Sequence, residues 1–217
     1  MKKLFLLLPV LFFFSFSPKE KQHIVEIRTD FGTLKVKLFN ETPQHRDNFL
    51  KLVNESFYDS LLFHRVIKNF MIQGGDPDSK HAAPGTMLGN GDLGYKIPAE
   101  IFPTLFHQRG VLAAARDDNP EKASSACQFY LVQGKVLTDE EMDAFEKKWN
   151  VKIPVEHRTV YKTIGGTPWL DGNYTVFGEV IEGLNIIDSI ANVKCDGNNR
   201  PLTDIRMYMH ELKPVKK

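Results

Sequence analysis

The chain has 217 residues, 42% of them hydrophobic, with 28 basic against 27 acidic side chains for a net charge of +1. That length suits one domain of the larger kind, or a domain carrying an insertion, and it can bury a real core. The near-neutral balance excludes recruitment of nucleic acid or of an anionic membrane by a global field, so function must come from a local site.

The first stretch, MKKLFLLLPVLFFFSFSPKEK, carries Lys2 and Lys3 ahead of an apolar run from Leu4 to Phe16. The run is short for a membrane span and reads as a secretory signal over residues 1–17. Ser15-Phe16-Ser17 has the small residues that a signal peptidase recognises, while Pro18 directly afterwards leaves the cleavage point open. No cysteine follows the run, so a lipoprotein anchor has no attachment point. The remaining 18–217 are expected to form one exported, monomeric domain without a stable membrane span.

HIVEIRTD and GTLKVKLF come next, and the second alternates Leu34, Val36 and Leu38 with Lys35 and Lys37. This is the period of a half-buried antiparallel strand, and Asp30-Phe31-Gly32 supplies the turn of a hairpin. NETPQHRDNFLKLVNES changes period: Thr42 can cap, Pro43 fits the first helical position, and Phe49, Leu52 and Val53 make an apolar stripe. The short runs LLFHRVI, FMIQG, GVLAAAR, CQFYLVQ and TVFGEVIEG predict further strands, followed by the helical LNIIDSIANV and the strand-like IRMYMHEL. Many short strands with few helices argue for a mostly β protein, a closed antiparallel barrel with helices on its ends.

One segment, at about 134–166, breaks this rhythm. In LTDEEMDAFEKKWN, Thr138 and Glu141 form a capping box, Met142, Phe145 and Trp149 fall at helical spacing, and Asn150 is a stop. An amphipathic helix inserted between strands is expected, its Met142, Phe145 and Trp149 face being the one to pack on the barrel. Ile164-Gly165-Gly166-Thr167-Pro168 then reads as a turn within the same domain. Cys127 and Cys195 are too few for a disulfide framework and form no C-x-x-C pair, and their pairing stays open.

The usual catalytic devices are missing: there is no G-x-S-x-G, H-E-x-x-H or Walker-type loop. GGDP and GNGDLG do not sit between a strand and a helix as phosphate-cradling loops do. His64, Arg65 and Asp76 lack a neighbouring serine or cysteine to complete a hydrolytic set, so His64 reads as a satisfied structural residue. What stands out is FHRVIKNFMIQGGDP, Phe63 to Pro77, in which Arg65 sits among aromatic, aliphatic and sulfur-bearing neighbours.

The runs FHRVIKNFMIQGGD, CQFYL and WLDGNYTVFGEV resemble the cyclophilins, the peptidyl-prolyl cis-trans isomerases of the eight-stranded barrel type. The resemblance covers nearly the whole chain after the signal, apart from the insertion. It implies a closed eight-stranded antiparallel barrel capped by two helices, X-Pro isomerisation without cofactor or metal, and Arg65 as the catalytic group. Phe70, Met71 and Gln73 fall on pocket positions of the same motif, and Ala115 and Arg116 on an edge strand that pairs with bound peptide. Gln128 and Tyr130 match the Q-F-F triplet, Trp169 and Leu170 match W-L-D-G, and Tyr174 stands where eukaryotic members usually show histidine. Proline-containing polypeptides are the implied substrates, and Trp169 implies inhibition by cyclosporin-like macrocycles. Arg116 is similar to the bacterial exported members, which with the signal points to the periplasm or envelope of a bacterium. Tyr130 departs from the family's phenylalanine by a hydroxyl, and the insertion has no counterpart in the minimal pattern.

These residue types suit the chemistry on their own account. A peptide bond resists rotation by roughly 18–20 kcal/mol because its nitrogen lone pair is delocalised, and X-Pro exchange takes tens to hundreds of seconds. Rotation needs no proton transfer; it needs a donor that favours the twisted imide over the planar one, beside a hollow that holds the proline ring. The competing expectation is a proline-peptide binding module or holdase, whose groove is occupied without turnover.

Overall fold

The computed structural model describes residues 21–213. The expected signal lies outside these residues. Strands β1 (Ile24–Thr29) and β2 (Gly32–Leu38) form the predicted hairpin, with Val25 opposite Val36 and Ile27 opposite Leu34. All four side chains are fully buried on one face, as a period of two demands.

Helix α1 (Pro43–Asn54) starts with proline in its first turn, where a missing N–H costs nothing. Thr42 does not cap it; its hydroxyl donates to the Phe39 carbonyl instead. The cap comes from 56 residues away in sequence, where the Glu100 carboxylate accepts from the backbone N–H groups of Gln44 (3.1 Å) and His45 (2.9 Å). A carboxylate at this end satisfies orphan donors and opposes the helix dipole.

The chain continues through β3 (Phe63–Ile67), β4 (Met71–Gly74), β5 (Lys96–Ile97), β6 (Val111–Ala114), β7 (Ser124–Ser125) and β8 (Phe129–Val132). After α2 (Asp139–Trp149) and α3 (Val155–Thr163) come β9 (Val176–Glu182), α4 (Leu184–Ala191) and β10 (Tyr208–Leu212). Eight strands make one antiparallel sheet in the order β10-β1-β2-β9-β6-β8-β4-β3, and β5 pairs with β7 apart from it. The closed barrel expected from the sequence is only partly realised: among the described residues no ladder joins β10 to β3. The sheet curls until the two edges meet through a single Leu62–Arg206 bridge and backbone bonds such as Phe63 N–H to the Ile205 carbonyl, 2.9 Å. Those bonds satisfy edge groups that would otherwise be open to another chain.

Alternation along the strands separates two hydrophobic faces. Phe129, Leu131, Ile72 and Leu112 join the main core with Phe49 of α1 and Ile187 of α4. Their strand neighbours Tyr130, Val132, Met71 and Val111 form a second cluster on the opposite face. Each fully buried large apolar side chain contributes about 1.5–3 kcal/mol, so both clusters hold the fold, and the partly buried Phe70, Ala115, Leu170 and Tyr174 that pack on the second one carry it to a surface.

The insertion holds two helices rather than the single one expected. Helix α2 shows the predicted capping box, with Thr138 and Glu141 bonding reciprocally, and ends on Asn150 in the left-handed conformation. Helix α3 follows Pro154; its Val155, Thr159, Val160 and Thr163 are weak helix formers, and its Tyr161 is fully buried. Leu137, Met142, Ile153 and Tyr161 give the pair a small core. Trp149 is not on the packed face as expected; it is 54% exposed, with Lys148 Nζ 5.0 Å from its ring. The insertion leaves and re-enters the barrel at one point, where Gly166 N–H donates to the Lys135 carbonyl (3.1 Å). Glycine is required there: Gly134 has a positive φ, and a Cβ on it would lie 2.5 Å from Gly166 Cα. Cys127 and Cys195 are both free thiols, and burial pushes Cys127 up to about 11.

Candidate active site

The second hydrophobic face carries a hollow of about 320 Å³. From β3 and β4 come Arg65, Met71 and Gln73, with Phe70 in the turn between them; from β8 comes Tyr130. Ala115 and Arg116, just beyond β6, complete one side, and Leu170 and Tyr174, before β9, the other. Nine of the eleven residues singled out from the sequence therefore line one cavity.

Arg65 and Gln73 are directly opposed across the β3–β4 ladder. The guanidinium donates to Gln73 Oε1 at 3.1 Å, Gln73 Nε2 donates to Gln128 Oε1 at 3.0 Å, and Gln128 Nε2 donates to the carbonyls of Gly89 and Gly91, each at 2.9 Å. Every bond in this chain runs in the same sense, so each polarises the next. Among the described residues no carboxylate pairs with Arg65 within 4.0 Å. Partial burial lowers its pKa, with Tyr174 acting the other way, and guanidinium remains protonated at physiological pH. The result is an un-neutralised cation held by a neutral acceptor beside an apolar hollow.

Two of the eleven lie elsewhere. Gln128 lines an adjoining hollow of about 330 Å³ that shares Gln73, Ala115 and Arg116 with the first. Trp169 lines neither hollow; it stands behind Phe70, ring centroids 5.7 Å apart, and its other neighbour is Phe145 of α2 at 5.0 Å. The edge strand expected at Ala115 is also absent. Strand β6 lies between β9 and β8, and the Ala115 N–H and carbonyl are both bonded, to the Gln128 carbonyl and the Ser125 N–H. Arg116 is fixed by donating from Nε to the Asn173 carbonyl (2.8 Å) and lies over the Tyr174 ring at 4.9 Å.

His64 is not the satisfied structural residue expected. It lines the hollow at 3% exposure, and neither ring nitrogen has a partner in hydrogen-bonding geometry. Burial pushes its pKa down to about 4, the Asp76 charge opposing and Arg65 adding to the shift, so the ring is neutral at physiological pH. The loop Leu88-Gly89-Asn90 also forms part of the wall. Its GNGDLG run was legible as glycine-rich, but what ties it to β4 comes from elsewhere in sequence: Gln128, which bonds Gln73, and Asp76 just beyond β4, whose carboxylate accepts from the Gly89 N–H.

A family model for cyclophilin type peptidyl-prolyl cis-trans isomerases matches residues 24–211. The chain belongs to the cyclophilins. It is 35% identical over 183 residues to a Staphylococcus aureus (strain USA300) protein provisionally named a peptidyl-prolyl cis-trans isomerase, covering 83% of this chain and 87% of the relative. A Staphylococcus haemolyticus protein of the same provisional name is 34% identical over 183 residues, 83% of this chain and 86% of the relative. Among solved structures, a Cryptosporidium parvum cyclophilin type isomerase is similar at a TM-score of 0.65 and 25% identity, covering 89% of this chain and 99% of that one. The same parasite enzyme crystallised in the presence of the dipeptide Ala-Pro is similar at 0.61 and 26% identity, covering 86% and 98%. As a cyclophilin, this protein is a peptidyl-prolyl cis-trans isomerase. Among the described residues no cluster of three or more His, Cys, Asp or Glu is placed to hold a metal, and no helix is long and apolar enough to cross a membrane.

Proposed function

We propose that the protein accelerates X-Pro rotation in exported or envelope polypeptides and assists their folding, with Arg65 as the catalytic group. The observation that carries the residue assignment is the Arg65 guanidinium, held by Gln73 at 3.1 Å beside an apolar hollow, with no carboxylate of the described residues paired to it. In the twisted transition state the proline nitrogen regains its lone pair and becomes a better acceptor, so a fixed cationic donor stabilises that state more than the planar ground state. Phe70, Met71, Tyr130 and Leu170 offer the proline ring an apolar seat, and the dry walls strengthen the guanidinium's field. A volume of about 320 Å³ suits a proline and its immediate neighbour rather than a large ligand. Proline-containing peptides as ligands are supported by the related structure crystallised in the presence of Ala-Pro.

Export is supported by Lys2 and Lys3 ahead of the apolar run to Phe16. Fractionation of expressing cells with N-terminal sequencing of the mature chain tests it; full-length protein in the cytoplasm overturns it. NMR exchange spectroscopy on an Ala-Pro peptide tests the activity and Arg65 together. Accelerated exchange in the wild type, lost in Arg65→Ala, is the expected result. Chemical-shift changes without faster exchange would make the protein a holdase.

A further inference from the structure

A chain of polar groups, buried except for the partly exposed Asp171, links the hollow to the insertion. The Tyr161 hydroxyl of α3 donates to Asp171 Oδ2 at 2.6 Å. Asp171 Oδ1 accepts from both the backbone N–H and Nδ1 of His107, at 2.8 and 2.9 Å. Because a carboxylate only accepts, Nδ1 of His107 carries a proton, and Nε2 lies 2.9 Å from the Tyr130 hydroxyl, which donates to it in the Nδ1–H tautomer. His107 is fully buried and Tyr130 nearly so, and the Tyr174 ring meets Tyr130 edge-on at 6.0 Å. The Tyr130 ring is thus gripped at its tip by the relay and along its side by a second wall of the hollow. A separate apolar path runs in parallel, Phe145 of α2 against Trp169, and Trp169 against Phe70.

We propose that the α2–α3 insertion positions the proline-binding hollow, acting through Tyr161, Asp171 and His107 on Tyr130. The proposal rests on the isomerase reading of that hollow. Tyr130 and Tyr161 are the relay's two ends, each a tyrosine whose phenylalanine counterpart would leave His107 or Asp171 short of a partner. With the relay intact, Tyr130 is held before substrate arrives, and binding does not have to order it. Tyr161, Asp171 and His107 are positioning residues, since Tyr130 is the only one of the four that lines the cavity.

The test is a double-mutant cycle on the full chain, with Tyr161→Phe, Tyr130→Phe and the pair. KM and kcat are measured for a peptide containing Ala-Pro, its Kd by NMR titration, and stability by thermal denaturation. Tyr161→Phe is expected to raise KM and Kd three- to tenfold with kcat within twofold. In the Tyr130→Phe background it should raise them no further, because the relay no longer reaches the hollow. A structural role alone lowers the melting temperature without moving Kd, and that result overturns the proposal, as does an equal Kd effect in both backgrounds. Asp171→Asn supplies a second break in the chain should Tyr161→Phe not fold; unchanged Kd there also overturns it. Imidazole nitrogen shifts of His107 give a direct readout: the Nδ1–H tautomer in the wild type, and averaging of the two tautomers in Asp171→Asn. Absence of turnover in the wild type would remove the catalytic reading while leaving the relay to be judged by Kd.

Discussion

Arg65 and Gln73 face each other across the β3–β4 ladder, and the amide oxygen of Gln73 holds the guanidinium at 3.1 Å without neutralising it. A carboxylate in the same place would position the cation better and use up its field. The amide is itself pinned by Gln128, so the donor is preorganised through two side chains that carry no charge.

Replacement at this pair separates position from charge. Arg65→Ala is expected to lower kcat/KM by about 10²–10³-fold, the usual loss for one preorganised donor, with circular dichroism and melting temperature near wild type. Gln73→Glu should also lower activity, by about tenfold, because a new ion pair competes with the imide nitrogen for the guanidinium. Undiminished turnover in Gln73→Glu would mean that neutrality at this position has no role. Protease-coupled kinetics on an Ala-Pro peptide reads both.

Acid stability follows from the buried histidines. Burial pushes His64 from 6.5 down to about 4, and burial also lowers His45, against the opposing bond from Glu100. Between those limits the unfolded chain carries protons that the native state does not, so stability rises with pH across about 4–6.5 and is lost as pH falls through it. His64 alone accounts for a change of about 3 kcal/mol at ~1.4 kcal/mol per pH unit. Urea midpoints should fall steadily from pH 6.5 to 4.5, and His64→Leu should flatten the profile. A wild-type midpoint constant over that range contradicts the account.

Glu100 is the structural counterpart of Arg65, a buried charge serving the fold. Its carboxylate caps α1 and bonds His45 Nδ1 at 2.7 Å, while His45 Nε2 lies 3.0 Å from Ser124 Oγ. Glu100→Ala removes the cap and strands a buried imidazole, with an expected loss of about 2–4 kcal/mol. Chemical denaturation measures it. Activity per folded molecule should be unchanged, since Glu100 does not line the hollow.

Macrocycle inhibition tests the contact between Trp169 and the insertion. Phe145 packs 5.0 Å from the indole, on a helix that the minimal family pattern lacks. Wild-type protein is expected to bind cyclosporin-like macrocycles weakly, and Phe145→Ala to bind them several-fold more tightly while losing less stability than the roughly 3–5 kcal/mol of a core Phe→Ala, since Phe145 is only partly buried. Competition against peptide turnover gives the affinity. Equal inhibition of the two proteins rules out the inserted helix as the obstacle.

The site residues were readable through the resemblance of their motifs, and strand parity, being local, checks two pairs of them. Gln128 and Tyr130, two apart, share a face and send Phe129 into the core, and Met71 and Gln73 do the same on β4. The capping box of α2 was equally plain, since Thr138 and Glu141 need only each other. Thr42 was misread for the converse reason: it has the residue type of a cap, but the competing acceptor Glu100 arrives from a distant segment. The sequence does not show helix α3 because its β-branched residues argue against a helix, which is sustained by burial of Tyr161 and His157 and by ion pairs of Arg158 and Lys162 with α2.

By itself the sequence determined the strand faces and the family motifs, because each depends on neighbours within a few positions, while the site residues from Arg65 to Tyr174 came from the resemblance that those motifs carry. Tertiary structure alone decided that the sheet curls to a bridge instead of a full ladder, that Trp169 packs against Phe145 of the insertion, and that His64 is buried with neither ring nitrogen in hydrogen-bonding geometry. It also joined Tyr161 to Tyr130 through His107 and Asp171. Hydrogen bonds between residues tens of positions apart leave no periodic trace, since any spacing serves once the chain has folded them together.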